Sequence, residues 1–297
     1  MTLLDEQHAA QVVESGDYEE AVRLLRLLAA KNSRYALLTL GWIYETGAVG
    51  IPDMKTACAY YERASAQGSD SAYLYLGRLL VREGQSREAL AAFESGAKLG
   101  NYECSAELQR LADSDAEEHA AEALKAGDYE KVEQVLRPLA ERKSEYALLS
   151  LGWIYETGAT QAPDMEAARL YYERAAADGS APAYYELGRL LMRQGEETQA
   201  RSAFETGATK GDISCMSRLG RMMVEGRGGF TDADAGLTWL ERAASQGHIL
   251  AERTLLSIQE RNAGSIAERL SIKRKIASLV KRGAAELLKD PHSNKMR

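Results

Sequence analysis

The sequence is short of the residues on which several kinds of protein depend. Of 297 residues, five are proline, three phenylalanine, three cysteine and four histidine. Cys58, Cys104 and Cys215 are odd in number and widely spaced, which excludes a disulfide framework and fits a reducing compartment. No His or Cys neighbours them at metal-ligand spacing, so no metal and no cofactor are expected. His8, His119, His248 and His292 are isolated from any nucleophile arrangement, and the segment Gly226 to Phe230 lacks the lysine and hydroxyl residue of a phosphate loop. No catalytic residue is assigned, and a non-enzymatic protein is expected.

Long apolar runs are also missing. No stretch approaches the roughly 18 apolar residues of a membrane-spanning helix. Residues Met1 to Gly16 show no cationic segment followed by an apolar core, which reads as cytoplasmic. Net charge is −7, but from Arg261 onward ten basic and three acidic residues give +7, which leaves −14 on the first 260 residues. An acidic body repels polyanions, so nucleic acid is not an expected partner.

What is abundant is alanine, leucine, glutamate and arginine, which lose little conformational freedom in a helix. The chain also repeats itself. Ser33 to Gly100 aligns without gaps on Ser144 to Gly211, an offset of 111, with 42 identities in 68 positions. Within each copy a period of about 32 to 36 residues reads as paired amphipathic helices. One unit carries Ala36, Leu40, Gly41 and Tyr44 on a first helix, then Gly47, Pro52 and Asp53, then Ala57, Tyr60, Tyr61, Ala64 and Gly68 on a second. The pattern returns as Ala147, Leu151, Gly152, Tyr155, Gly158, Asp164, Ala168, Tyr171, Tyr172, Ala175 and Gly179. A looser copy has Leu219, Gly220, Gly226, Asp232, Trp239, Leu240, Ala243 and Gly247.

Two places depart from regularity. Asp113, Ser114 and Asp115 interrupt the stretch from Asn101 to Ala126, which is either one bent helix or two, and Pro138 is expected to kink or shorten its helix. Cys104 and Cys215, related by 111, are expected in the core.

The repeated residues resemble the Sel1-like repeat, a relative of the tetratricopeptide repeat, over most of residues 5 to 248. The resemblance implies an all-α fold, a right-handed α-solenoid of about seven hairpins. Expected divisions are a first half over 1–112, with three hairpins and an extra helix, a second half over 113–262, and a basic helix with a frayed end over 263–297. It also implies a protein- or peptide-binding scaffold or adaptor, a regulatory or assembly factor of a bacterial kind, whose first helices line a concave groove.

Side chains one and four residues after the helix glycine, and three and six before it, then project into that groove. They are Tyr35, Leu38, Trp42 and Glu45, with Tyr146, Leu149, Trp153 and Glu156 in the duplicate. Arg78, Tyr185, Arg189 and Arg221 come from the other units, and aromatics beside arginines are the composition of binding hot spots. Trp42 and Trp153 can equally pack between hairpins, Tyr60, Tyr61, Tyr171 and Tyr172 read as packing residues, and Glu45 and Glu156 as a solvated face.

The tail offers a second reading. Ile266, Leu270, Ile276, Leu279, Val280, Leu287 and Leu288 form an approximate stripe beside Lys273, Arg274, Lys275, Lys281 and Arg282. Such a helix either caps the solenoid or contacts an acidic partner or the inner face of a membrane.

Overall fold

The computed structural model describes residues 2–289, and side-chain surroundings for 5–286. The described residues form helices and connecting turns, with no strand among them. They fall into a first unit ending at Asp115 and a second beginning at Ala116.

The first unit holds α1 (Thr2–Glu14), α2 (Tyr18–Ala30), α3 (Arg34–Thr46), α4 (Met54–Ala66), α5 (Asp70–Arg82) and α6 (Ser86–Lys98), paired in order as three hairpins. Next is α7 (Tyr102–Ala126), whose length spans the division. The second unit continues with α8 (Tyr129–Glu141), α9 (Glu145–Thr157), α10 (Met165–Ala177), α11 (Ala181–Gln194), α12 (Glu197–Thr209), α13 (Ile213–Glu225) and α14 (Ala233–Ser245). It ends with α15 (Ile249–Asn262) and α16 (Ile266–Lys289). Counting α7 with α8, seven hairpins precede the last two helices.

Each hairpin closes around one small residue. A Cβ placed on Gly41 would lie well inside 3.0 Å of the Tyr61 ring, and the same holds for Gly152 against Tyr172, Gly77 against Phe93 and Gly188 against Phe204. These four aromatics are at most 1% exposed. The last hairpin uses a different solution: Gly220 faces the backbone of Gly236 on α14, and Leu240 takes the tyrosine's place. Gly96 and Gly207 do the same for the next helix along, each lying against the sulfur of a fully buried cysteine, Cys104 and Cys215.

Capping fixes where helices begin. Ser33, Ser69, Ser144, Ser180 and Asp212 each accept a hydrogen bond from the backbone N–H three residues on. The acidic loop residues do two jobs. Asp53 caps α4 through its side chain, and its own N–H donates to Tyr44 O at 2.8 Å, which folds the loop back on α3. Asp164 and Asp232 repeat that arrangement.

Two sequence expectations are corrected. The stretch after Asn101 is one continuous helix, because no glycine or proline occurs between Tyr102 and Ala126 and the Asp-Ser-Asp run carries too small a helix penalty to end it. Pro138 does not shorten α8, which has the same 13 residues as its duplicate α2. It sits in the last turns, where one lost backbone bond is tolerated.

The division at Asp115 lies three residues beyond the boundary expected from the repeats. Helix α16 packs on α15 through Ile272, Ile276 and Leu279, with Arg282 paired to Glu252 and Lys273 to Glu260 at 3.6 Å. The buried stripe thus differs from the expected one: Ile266, Leu270 and Val280 are 79%, 53% and 51% exposed. Of the expected frayed end, Lys289 closes α16 and residues 290–297 lie outside the described residues, as do the side chains of Leu287 and Leu288.

Gly152→Ala tests the seam directly. The added methyl gains about 1 kcal/mol of helix propensity but must displace the buried Tyr172 ring, so a net loss of about 1–3 kcal/mol is expected in urea unfolding.

Candidate functional site

The groove residues come from the first helices of the hairpins, whose opposite faces are consumed by the glycine seam. In the second unit the seam at Gly152 turns Leu149 and Trp153 of α9 away from Tyr172 and toward a cavity of about 480 Å³. Tyr129 of α8 and Pro182 of α11 complete its apolar walls, with Lys125 and Glu186 as charged groups.

Trp153 is 40% exposed and packs one side of its indole on Tyr129, ring centroids 6.0 Å apart. Trp42 in the first unit is 42% exposed and lies 5.8 Å from Tyr18. Each tryptophan is therefore half packing residue and half surface. The two copies differ beside it. Tyr75 stacks on Tyr61 at 5.6 Å in the first unit, whereas its equivalent in the second is the smaller Glu186, which lines the cavity.

The expectation that Glu45 and Glu156 form a solvated face is overturned. Glu156 is 3% exposed, accepts a hydrogen bond from the Tyr172 hydroxyl at 3.0 Å, and pairs with both Arg189 and Arg193. Burial, then the charge of Glu156, holds the Tyr172 phenol well above its ordinary pKa. Arg189 also bonds Glu186 at 2.8 Å. Burial works against its charge, but the bonds to Glu156 and Glu186 outweigh that and raise its pKa. In the first unit Glu45 accepts from Tyr61 at 2.7 Å and pairs with Arg82 alone. These acids anchor the wall of the groove from within.

The remaining residues divide. Tyr35, Leu38, Tyr146 and Leu149 are half-buried. Arg78 is exposed and paired to Glu103 at 3.3 Å and Glu107 at 2.8 Å. Tyr185 is 6% exposed, tilted against Phe204 and capped by Arg218, so it is a buried residue that offers no surface. Arg221 is half-buried beside a second cavity of about 270 Å³, which Arg189, Arg193, Arg218 and Arg227 also line. The tail residues Lys273, Arg274, Lys275, Lys281 and Arg282 are exposed on α16 of the same unit.

Sequence reasoning passed over Tyr129, Pro182, Glu186, Arg193, Arg218 and Arg227. The pairs Arg189–Arg193 and Arg218–Arg221, at one-turn spacing on first helices, were the available signal. It also read His248 as structural or solvated without placing it. That side chain is fully buried at the N-cap of α15, where Nδ1 accepts from Ala251 N–H at 3.1 Å and Nε2 is left without a partner. Loop Gly226 to Phe230 joins α13 and α14, as expected.

Burial, with a smaller contribution from Arg218, pushes the His248 imidazole down to about 4, below its usual 6.5. Below pH 6.5 the unfolded chain takes up a proton that the folded chain refuses until about pH 4. Stability from this group is therefore complete above the unfolded pKa and is lost as the pH falls through that window. His248→Ser keeps the cap and removes the titration. Between pH 7.5 and 4.5 the wild type is expected to lose roughly 2–3 kcal/mol more than the variant in urea unfolding.

The family model for the Sel1 repeat matches residues 11–33, 34–69, 145–180 and 213–248. Among solved structures, a Sel1 repeat protein from Oxalobacter formigenes is 25% identical, with a TM-score of 0.60 over 84% of this chain and 85% of that one. A protective antigen of uropathogenic Escherichia coli with an SLR fold is 24% identical, with a TM-score of 0.59 over 86% of this chain and 56% of that one. Chitin synthase regulatory factor 4 of Schizosaccharomyces pombe is 33% identical over 115 residues, which is 37% of this chain and 18% of that protein. The chain thus spans less than a fifth of that curated relative and little more than half of the antigen. Four family matches fall on hairpins whose glycine, aromatic and aspartate positions coincide in space as well as in sequence, and the chain is a Sel1-like repeat protein.

Proposed function

We propose that the chain is a non-enzymatic scaffold that binds an extended segment of a partner protein along the first-helix face of its second unit. Sel1-like and related repeats are in general protein-interaction scaffolds, and a regulatory or assembly role is consistent with the regulatory relative. The observation that supports this reading is the cavity beside Trp153. An indole that is 40% exposed, backed by Tyr129 and flanked by Leu149 and Pro182, offers an apolar side chain a place to lose its water. Ion pairs beneath it hold the wall in place, so little ordering entropy is lost on binding.

The test is affinity capture from native lysate with the wild type, Trp153→Ala and Trp42→Ala, followed by titration of the purified captured protein. Trp153→Ala is expected to weaken binding about tenfold or more with an unchanged helical signal. Equal affinity for wild type and Trp153→Ala defeats the proposal. Trp42→Ala, which lies in the first unit away from the cavity, is expected to bind as the wild type does.

A second reading has its own observation. No helix among the described residues is long and apolar enough to cross a membrane. Nevertheless Ile266, Leu270, Ala277, Val280 and Ala284 share an exposed face of α16, next to Arg274, Lys275 and Lys281. That face suits shallow contact with an anionic surface. Full-length protein is expected to sediment with phosphatidylserine vesicles, and Leu270→Glu plus Val280→Glu to stay in solution; sedimentation of both alike defeats it.

A further inference from the structure

The duplication provides an internal control for one charge reversal. In the first unit Glu107 of α7 accepts from Arg78 Nε at 2.8 Å and from Arg110 Nε at 2.8 Å, and Glu103 adds a contact to Arg78 at 3.3 Å. One carboxylate thereby neutralises two arginines from inside the fold. With the offset of 111, the equivalents of Arg78, Glu103, Glu107 and Arg110 are Arg189, Ser214, Arg218 and Arg221. Both acids are gone, and one has become a third arginine.

Arg189 has found other partners in Glu156 and Glu186. Arg221 has not: it is half-buried on α13 and makes no hydrogen bond or ion pair among the described residues. Arg218 reaches only a tyrosine hydroxyl, at 3.5 Å. Burial, followed by the charges of Arg218, Arg227 and Arg253, lowers the pKa of the Arg221 guanidinium. Lowering an arginine in this way marks positive charge that the protein itself leaves uncompensated. The place Glu107 occupies in the first unit corresponds here to a cavity of about 270 Å³ with Met192, Phe204 and Met222 as its apolar part.

We propose that Arg218 and Arg221 form a binding site for a carboxylate of an acidic peptide, which supplies from outside the charge that Glu107 supplies from inside in the first unit. The site rests on the groove reading and deepens it. Glu186, at the Trp153 cavity, and Arg189 and Arg193, at the arginine cavity, lie on one face of α11. Seven helical residues separate the two ends, about 10 Å, which three extended peptide residues span. The ligand is accordingly a short segment with an apolar or aromatic anchor and an acidic residue about three positions away. Arginine forks match carboxylates in two-point geometry. A nucleic acid carries its charge as a long polyanion, which the −14 of residues 1–260 repels.

The experiment titrates fluorescein-labelled hexaglutamate amide into full-length protein at low ionic strength, with hexalysine and inorganic phosphate as comparisons, while following the Arg221 Nε–Hε resonance. Saturable hexaglutamate binding that shifts this resonance is expected. Arg218→Glu restores the acid of the first unit; it is expected to weaken binding about tenfold or more and to raise the thermal midpoint. Arg221→Gln is expected to weaken binding similarly without a stability gain. Peptide affinity unchanged in both variants, or inorganic phosphate binding more tightly than hexaglutamate, overturns the site. A natural partner lost by Trp153→Ala but retained by Arg218→Glu overturns the site while leaving the groove reading intact.

Discussion

The close approach of two helices at a glycine is the constraint on which the rest of this structure depends. Tyr61, Phe93, Tyr172 and Phe204 each lie flat on a glycine of the preceding helix, where no other residue leaves room. That contact sets the distance between the helices of a hairpin and the rotation of the first helix about its axis. Rotation decides everything downstream, because residues one and four places after the glycine must then face away from the partner helix. The exposed edge of Trp153 and the buried carboxylate of Glu156 both follow from it.

The same seam makes the tyrosines polar as well as apolar anchors. A buried phenol needs a hydrogen-bond partner, and Tyr172 finds it in Glu156, as Tyr61 does in Glu45. The acid in turn needs counter-charge, which Arg189 and Arg193 provide in one copy and Arg82 in the other. A chain of necessity therefore runs from a missing Cβ to an arginine on the next hairpin. Phe93 and Phe204, which carry no hydroxyl, impose no such chain.

Duplication separates what the architecture requires from what one copy alone carries. Seam glycines, capping serines and loop aspartates are common to both copies, and their reasons are mechanical. Substitutions between copies cluster instead at the groove: Tyr75 against Glu186, Ser71 against Pro182, Glu107 against Arg218. In the first unit these positions satisfy one another by stacking or ion pairing, and in the second they open two cavities. Closed and open versions of one surface are what a change of use after duplication would leave behind.

The helical class, the hairpin boundaries, the 111-residue offset and the buried cysteines were all legible in the sequence, because they rest on local periodicity and on residue types that admit few alternatives. Continuity of α7 was legible too, in the absence of glycine and proline from Tyr102 to Ala126, had that absence been weighed above the Asp-Ser-Asp run. Which charged residues face which was not. Glu156 reads as a surface acid at four residues after a glycine, and its burial comes from arginines 33 and 37 positions away. Likewise Tyr185 and Arg189 share a helix face, yet one is buried and the other half-exposed. Helical periodicity specifies direction from an axis, while depth is set by what the next hairpin places on top, and that is a property of the stacked chain alone.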